Sequence, residues 1–175
     1  MLFRSQLEEI SGISSQTLDE VREIAYALHP YQMERLGLTR AIQAMLRKVA
    51  ASSDIIFATE IDNIDRLFPS ESEINIYRIV QESVNNILKH SGARTAHISI
   101  KRQPRTVLIT IADDGQGFSA DTNVAFQASS GGFGLRGMAE RARMLGGKQT
   151  IQSIPGAGTT LTIKLETQES SRNGQ

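Results

Sequence analysis

The sequence predicts an α/β chain of the α+β kind, with helices packed on a sheet. Three observations predict it: five short segments with strand character, helix-period segments set between them, and one long glycine-rich loop. At 175 residues the chain has room for one full core plus a helical appendage.

Leu7, Ile10, Ser14, Thr17, Val21, Ile24 and Leu28 alternate spacings of three and four, which forms one seam of a helix. That seam packs either on its own domain or on a second chain. Pro30 lacks an N–H and disfavours helical geometry at His29, so the helix ends there. Leu38, Ala41, Ile42, Met45, Leu46 and Val49 give a second helix, to about Ala51, entered at Gly37. Residues Ile55 to Ile61 read as a strand. Ser70 followed by Glu73 resembles a capping box opening a helix that runs to about His90 and ends at Ser91-Gly92.

Ala96, Ile98 and Ile100, then Val107, Ile109 and Ile111, alternate with other residues around Pro104-Arg105 and predict a hairpin with one core face. Residues 115 to 134 are a long loop rich in Gly, Ser, Ala and Asn, of the kind that covers a ligand. A helix from about Leu135 to Leu145 follows. The last strands, Lys148 to Ser153 and Thr159 to Glu166, flank Pro155-Gly156-Ala157-Gly158, and a polar tail expected to be disordered follows. The domain bounds that result are 1–36, 37–167 and a tail at 168–175.

Nineteen basic and nineteen acidic residues cancel, so no global field draws the protein onto nucleic acid or an anionic membrane. The absence of cysteine excludes thiol catalysis, disulfides and cysteine-based zinc sites. Apolar runs such as Val107 to Ala112 are strand-sized, and no signal peptide is legible at the N-terminus. The expectation is a chain not itself inserted in a membrane, with any anchor of the intact protein lying upstream.

Three features could carry chemistry. Glu82, Asn86 and Lys89, at spacings of four and three, are expected on one helical face; a carboxylate, an amide oxygen and an ammonium there could hold a hydrated magnesium ion and touch phosphates. A solvated polar face is the alternative. In Asp113-Asp114-Gly115-Gln116-Gly117-Phe118, a carboxylate at a strand end is followed by two glycines that let backbone approach a flat ring. Asp113 could accept from the exocyclic amino group of adenine; guanine would present an acceptor there, at a cost of about 1 to 3 kcal/mol or more. Taken alone, the segment also reads as a turn. In Gly131-Gly132-Phe133-Gly134-Leu135-Arg136-Gly137, glycines precede a helix whose free N–H groups could meet a polyphosphate, or they form a flexible lid. The segment lacks a Walker ending and does not directly follow a strand as a Rossmann fingerprint does.

In order and spacing these stretches resemble the gyrase, Hsp90, histidine kinase and MutL superfamily. Gln81 to Ser91 is similar to its N box, Asp113 to Phe118 to the G1 box, Gly132 to Gly137 to the G2 box, and Gly156-Ala157-Gly158-Thr159 to the last glycine box. The likeness covers about residues 70 to 165. Leu28-His29-Pro30, Leu36-Gly37-Leu38, Ala41-Ile42 and Gly137-Met138-Ala139-Glu140-Arg141 further resemble nitrate-sensor-like and desaturase-regulator-like sensor histidine kinases.

The resemblance implies a two-layer sandwich of mixed sheet on helices with a long ATP lid, the Bergerat fold, preceded by a dimerisation helix. It implies ATP and Mg2+ as cofactors. Asn86 is expected to coordinate the metal, and Glu82 to orient water on it or assist proton transfer. Asp113 is expected to bind adenine beside Thr159. Lys89, His90 and the backbone of Gly132, Gly134 and Gly137 should lie near the phosphates, with Gly115, Gly117 and Leu135 completing the nucleotide-binding set. The implied partners are a response-regulator receiver domain and, through the N-terminal helix, a second subunit. The acceptor histidine of that family sits in a Leu-His-Asp-like block that does not occur here. Pro30 follows His29 where an acidic neighbour is expected, His97 should face solvent, and His90 reads as a site wall, so the acceptor is expected outside this chain. A free-standing protein-serine kinase of the anti-sigma type and a non-catalytic ATP-binding module share the boxes; the seam before Pro30 argues against the first, and the complete boxes against the second.

Overall fold

A computed structural model describes Met33 and residues 35–119 and 133–167. The chain divides into two compact units, Met1–Arg35 and Leu36–Gln175, and the second carries the sheet and its helices. The helical seam, His29, the loop between Ser119 and Phe133 (with Gly131 and Gly132) and the tail lie outside the described residues.

Among the described residues the order is α1 (Leu38–Ala51), β1 (Ile56–Ile61), α2 (Ser70–Asn86) with a π-helical turn (Ile87–Ser91), β2 (Thr95–Arg102), β3 (Thr106–Asp113), α3 (Phe133–Met144), β4 (Lys148–Ser153) and β5 (Thr159–Glu166). The strands form one sheet in the order β1-β2-β3-β5-β4. β1 runs parallel to β2, and the other neighbours are antiparallel. The mixed sheet implied by the resemblance is therefore present. A parallel pair needs a crossover, and α2 supplies it.

The alternation read in β2 and β3 sends Ala96, Ile98, Ile100, Val107, Ile109 and Ile111 to one buried face. Leu161, Ile163 and Leu165 of β5 extend that face. Ile76, Ile79, Val80 and Val84 of α2 and Met138 and Ala142 of α3 supply the helical layer, with Leu38, Ile42 and Leu46 of α1 packed beside α2 and β1. Each fully buried aliphatic side chain contributes roughly 1.5–3 kcal/mol. This two-layer core fixes where the strand ends and the α2 and α3 termini meet. Among the described residues no helix is long and apolar enough to cross a membrane.

Two local expectations need correction. Ser70 does not cap α2: Pro69 holds the cap position, its carbonyl accepts from Ser72 N (2.8 Å) and Glu73 N (3.0 Å), and no side chain caps the end. Glu73 does not reach back to the cap because its Oε1 accepts from Arg66 N at 3.0 Å. The α-geometry of the second helix also stops at Asn86, so Lys89 lies in the π-turn and not on the α-helical face of Glu82 and Asn86. The stop itself falls as expected, at Gly92, whose φ of 61° suits the left-handed cap that glycine tolerates best.

Candidate nucleotide site

A cleft of about 690 Å³, counted out to its open mouth, lies between the C-terminal half of α2, the G1-like loop, the start of α3 and the ends of β3 and β5. Of the residues singled out from the sequence, Asn86, His90, Asp113, Gly117, Leu135 and Thr159 line it together. Periodicity and glycine spacing did not single out Ser83, Gln116, Phe118, Met138 or Leu161, which line it as well. Ser83 could have been found, since it sits four residues from both Ile79 and Ile87 on the inward face of α2. Its hydroxyl donates to Ile79 O at 2.7 Å and lies 3.2 Å from Met138 Sδ, which ties α2 to α3 inside the cleft.

The paired aspartates separate by environment. Asp113 ends β3, opposite Thr159 of β5, and is half-buried. Burial pushes its carboxyl above the ordinary range and Asp114 adds to the rise, while the N–H groups of Gly115 (2.9 Å) and Thr159 pull the other way. Asp114 is exposed and structural: one oxygen accepts from Arg94 N and Thr95 N, the other from Thr95 Oγ1, at 2.8–2.9 Å. Those bonds hold its carboxyl below the ordinary range.

The loop after Asp113 is fixed on two sides. Gln116 donates from its backbone N to Ser91 O (2.7 Å) and from Nε2 to His90 O (2.7 Å), satisfying two carbonyls that the π-turn leaves open. Its own carbonyl accepts from Gly156 N at 2.6 Å. Phe118 N donates to Ser153 Oγ (2.9 Å), and that hydroxyl is bonded to Thr159 Oγ1 (2.8 Å). Two glycines make this closeness possible. Gly117 has a φ of 56°, and a Cβ there would strike Ile154 O; a Cβ on Gly115 would strike Ser91 O and come within 2.8 Å of Asp113 Oδ1.

At the other end, α3 begins against α2. A Cβ on Gly134 would collide with Glu82 Oε1 and lie 3.6 Å from Asn86 Oδ1, so both polar heads face this glycine. Neither makes a hydrogen bond or ion pair among the described residues. Glu82, Gly115, Gly134 and Gly137 are not among the residues that line the cleft, and Lys89 is exposed on the π-turn. His97 faces solvent as expected, 3.8 Å from Glu60.

The geometry thus presents a half-buried acceptor at one end of a cleft and unpartnered oxygen donors beside a glycine-led helix at the other. The sequence profile described as histidine kinase-, DNA gyrase B- and HSP90-like ATPase matches residues 71–169, more than half of the chain. The chain belongs to this ATPase family. Its relatives include a sensor-like histidine kinase of Chloroflexus aurantiacus, 34% identical over 91% of this chain and 27% of that protein. The signal transduction histidine-protein kinase/phosphatase DegS of Brevibacillus brevis is 30% identical over 91% of the chain and 40% of its own length. The chain therefore spans between about a quarter and two-fifths of these relatives. In structure the ATPase domain resembles the histidine kinase domain of a blue-light activated histidine kinase from Erythrobacter litoralis (TM-score 0.63, 19% identity, covering 74% of this chain and 61% of that one). It also resembles the ATP-binding domain of PrrB from Mycobacterium tuberculosis (TM-score 0.54, 20% identity, covering 75% and 92%). The expected membership of the superfamily that gyrase, Hsp90 and histidine kinases share is borne out.

Proposed function

We propose that this domain binds ATP in the cleft and serves as the phosphoryl-donating half of a sensor histidine kinase. The observation that carries the reading is the pairing of Asp113, half-buried beside Thr159, with the partnerless heads of Glu82 and Asn86 facing Gly134. Asp113 accepts the exocyclic amino group of adenine. The glycine-led start of α3 offers N–H groups to the phosphates.

Among the described residues no three His, Asp or Glu side chains gather to hold a metal by themselves. Two oxygen heads fit Mg2+, which keeps several waters and takes few protein ligands. Asn86 would hold it directly and Glu82 through water. When bound, the ion neutralises charge on the phosphates. The residues of the chain position the nucleotide: the loop of Gln116 holds the base end, Glu82 orients water or takes up a proton, His90 lines the cleft, and Lys89 reaches toward the phosphates from the π-turn. The γ-phosphorus–oxygen bond to ADP then breaks as a bond to a histidine nitrogen forms, and in-line positioning supplies most of the acceleration. The acceptor is a histidine of the dimerisation helices of the whole protein, which pairs as a homodimer in the cytoplasm, and the phosphoryl group passes on to an aspartate of a receiver domain.

The test supplies the chain and γ-labelled ATP with a separately produced dimerisation helix carrying a histidine in a Leu-His-Asp-like block. The expected product is an acid-labile, base-stable phosphohistidine. Acid-stable phosphoserine would instead point to a serine kinase, and no label despite nucleotide binding would leave a binding module.

A further inference from the structure

We propose that Arg141 contacts the terminal phosphate of the bound nucleotide. The proposal rests on the ATP reading above and adds to it a residue for discriminating between ATP and ADP. Positions 134, 138 and 141 of α3 share one face of the helix. Gly134 faces Glu82 and Asn86, and Met138 is buried against Ser83 in the cleft. Arg141 comes two turns after Gly134, but its side chain folds back toward the start of the helix. A Cβ on Gly137 would lie 3.1 Å from Arg141 Nη1, so the guanidinium rests in the space this glycine leaves open, one turn from Gly134.

Arg141 is half-buried and makes no hydrogen bond or ion pair among the described residues. On the same helix, Arg143 is exposed and pairs with Glu140 at 2.7 Å. A partly desolvated guanidinium without an acceptor is costly, and the cost is relieved by an anion whose oxygens match its planar fork. The place of that anion follows from the cleft. On the ATP reading Asp113 and Thr159 hold the base end of the cleft, and the metal-binding heads of Glu82 and Asn86, which face Gly134, put the polyphosphate at the start of α3. Lys89, in contrast, is exposed on its π-turn. The guanidinium beside Gly137 is thus a half-buried, unpaired cation on the same face of α3 as Gly134, and Gly137 is the seat that lets it fold back toward the last phosphate.

Calorimetric titration of the full chain with Mg·ADP and with a non-hydrolysable Mg·ATP analogue tests this. In Arg141→Gln, ADP affinity should stay within about twofold while affinity for the ATP analogue falls about tenfold or more, as expected for a lost charge-assisted bond; Arg141→Lys should fall between. Gly137→Ala, a better helix former that pushes the guanidinium aside, should shift the same ratio in the same direction and guards against misfolding of the first variant. Equal weakening of both nucleotides, or no change in either, overturns the role of Arg141. If the wild type takes up ADP in an Asp113-dependent manner and the ratio still does not move, only this proposal falls; if the wild type takes up neither nucleotide, the ATP reading falls with it.

Discussion

The two ends of α2 treat polar side chains in opposite ways. At the N-terminal end two carboxylates accept from the backbone: Asp65 Oδ1 takes Thr39 N at 2.8 Å and Glu73 Oε1 takes Arg66 N at 3.0 Å. Thr39 answers with its own hydroxyl, which accepts from Ile64 N at 3.0 Å. At the C-terminal end, Glu82 and Asn86 face a glycine and bond to nothing among the described residues. One end of the helix is fastened by its polar groups, and the other keeps them for a ligand. The same division recurs between neighbours in sequence, since Asp114 fastens the start of β2 while Asp113 looks into the cleft.

The sharpest way to break this comparison is Asp113→Asn. Replacing the acceptor-only carboxylate by a neutral amide, whose NH2 would oppose the adenine amino group in one orientation and whose oxygen is the weaker acceptor in the other, should weaken nucleotide binding about 10- to 100-fold, corresponding to roughly 1 to 3 kcal/mol, in calorimetry. The folded domain without ligand should melt no lower than the wild type. The sign follows from burial: the folded-state pKa of Asp113 is raised, so its contribution to stability is complete below the ordinary aspartate value and is lost as pH rises through the raised value. Asparagine removes that loss. Nucleotide affinity of the wild type should accordingly begin to fall, on acidification, at a higher pH than an ordinary aspartate would give.

An effect of similar size, on stability and not on binding alone, is expected from Gly117→Ala, which puts a Cβ at a φ of 56° against Ile154 O. It should cost roughly 1–3 kcal/mol of stability in urea unfolding and loosen the cleft loop with it. Smallest is Glu73→Gln, at the fastened end. The amide oxygen can still accept from Arg66 N, and the pKa of Glu73, raised chiefly by burial, no longer matters. Stability near neutral pH should hold or rise, its loss as pH climbs through the raised Glu73 value should vanish from thermal melts, and ADP affinity should not change. A fall in ADP affinity would erase the distinction between the two ends.

Much of the architecture is legible in the residues. The helix of Leu38 to Ala51 and the alternation in β2 and β3 are local signals, and the structure reproduces them. So are the glycines, whose spacing marks the loop around Asp113 without knowledge of any contact. The sheet order is not written in periodicity, and the family resemblance implied only that the sheet is mixed. The capping box failed because Glu73 answers to Arg66, a residue at φ 61° seven positions earlier, and Pro69 serves the first turn instead. The polar face through Lys89 failed because the turn from Ile87 to Ser91 depends on Gln116, far along the chain, which holds the carbonyls of His90 and Ser91. Gln116 and Arg141 look like ordinary surface residues until their neighbours are seen.

The π-turn has a consequence for how such a chain tolerates change in length. A turn of this kind holds one residue more than an α-helix requires, as a single inserted position would leave it. Deleting one residue between Ile87 and Ser91 can therefore restore ordinary helical winding and spare the core. The carbonyls that Gln116 grips would rotate away, so the shortened protein would keep its shape and lose its ligand.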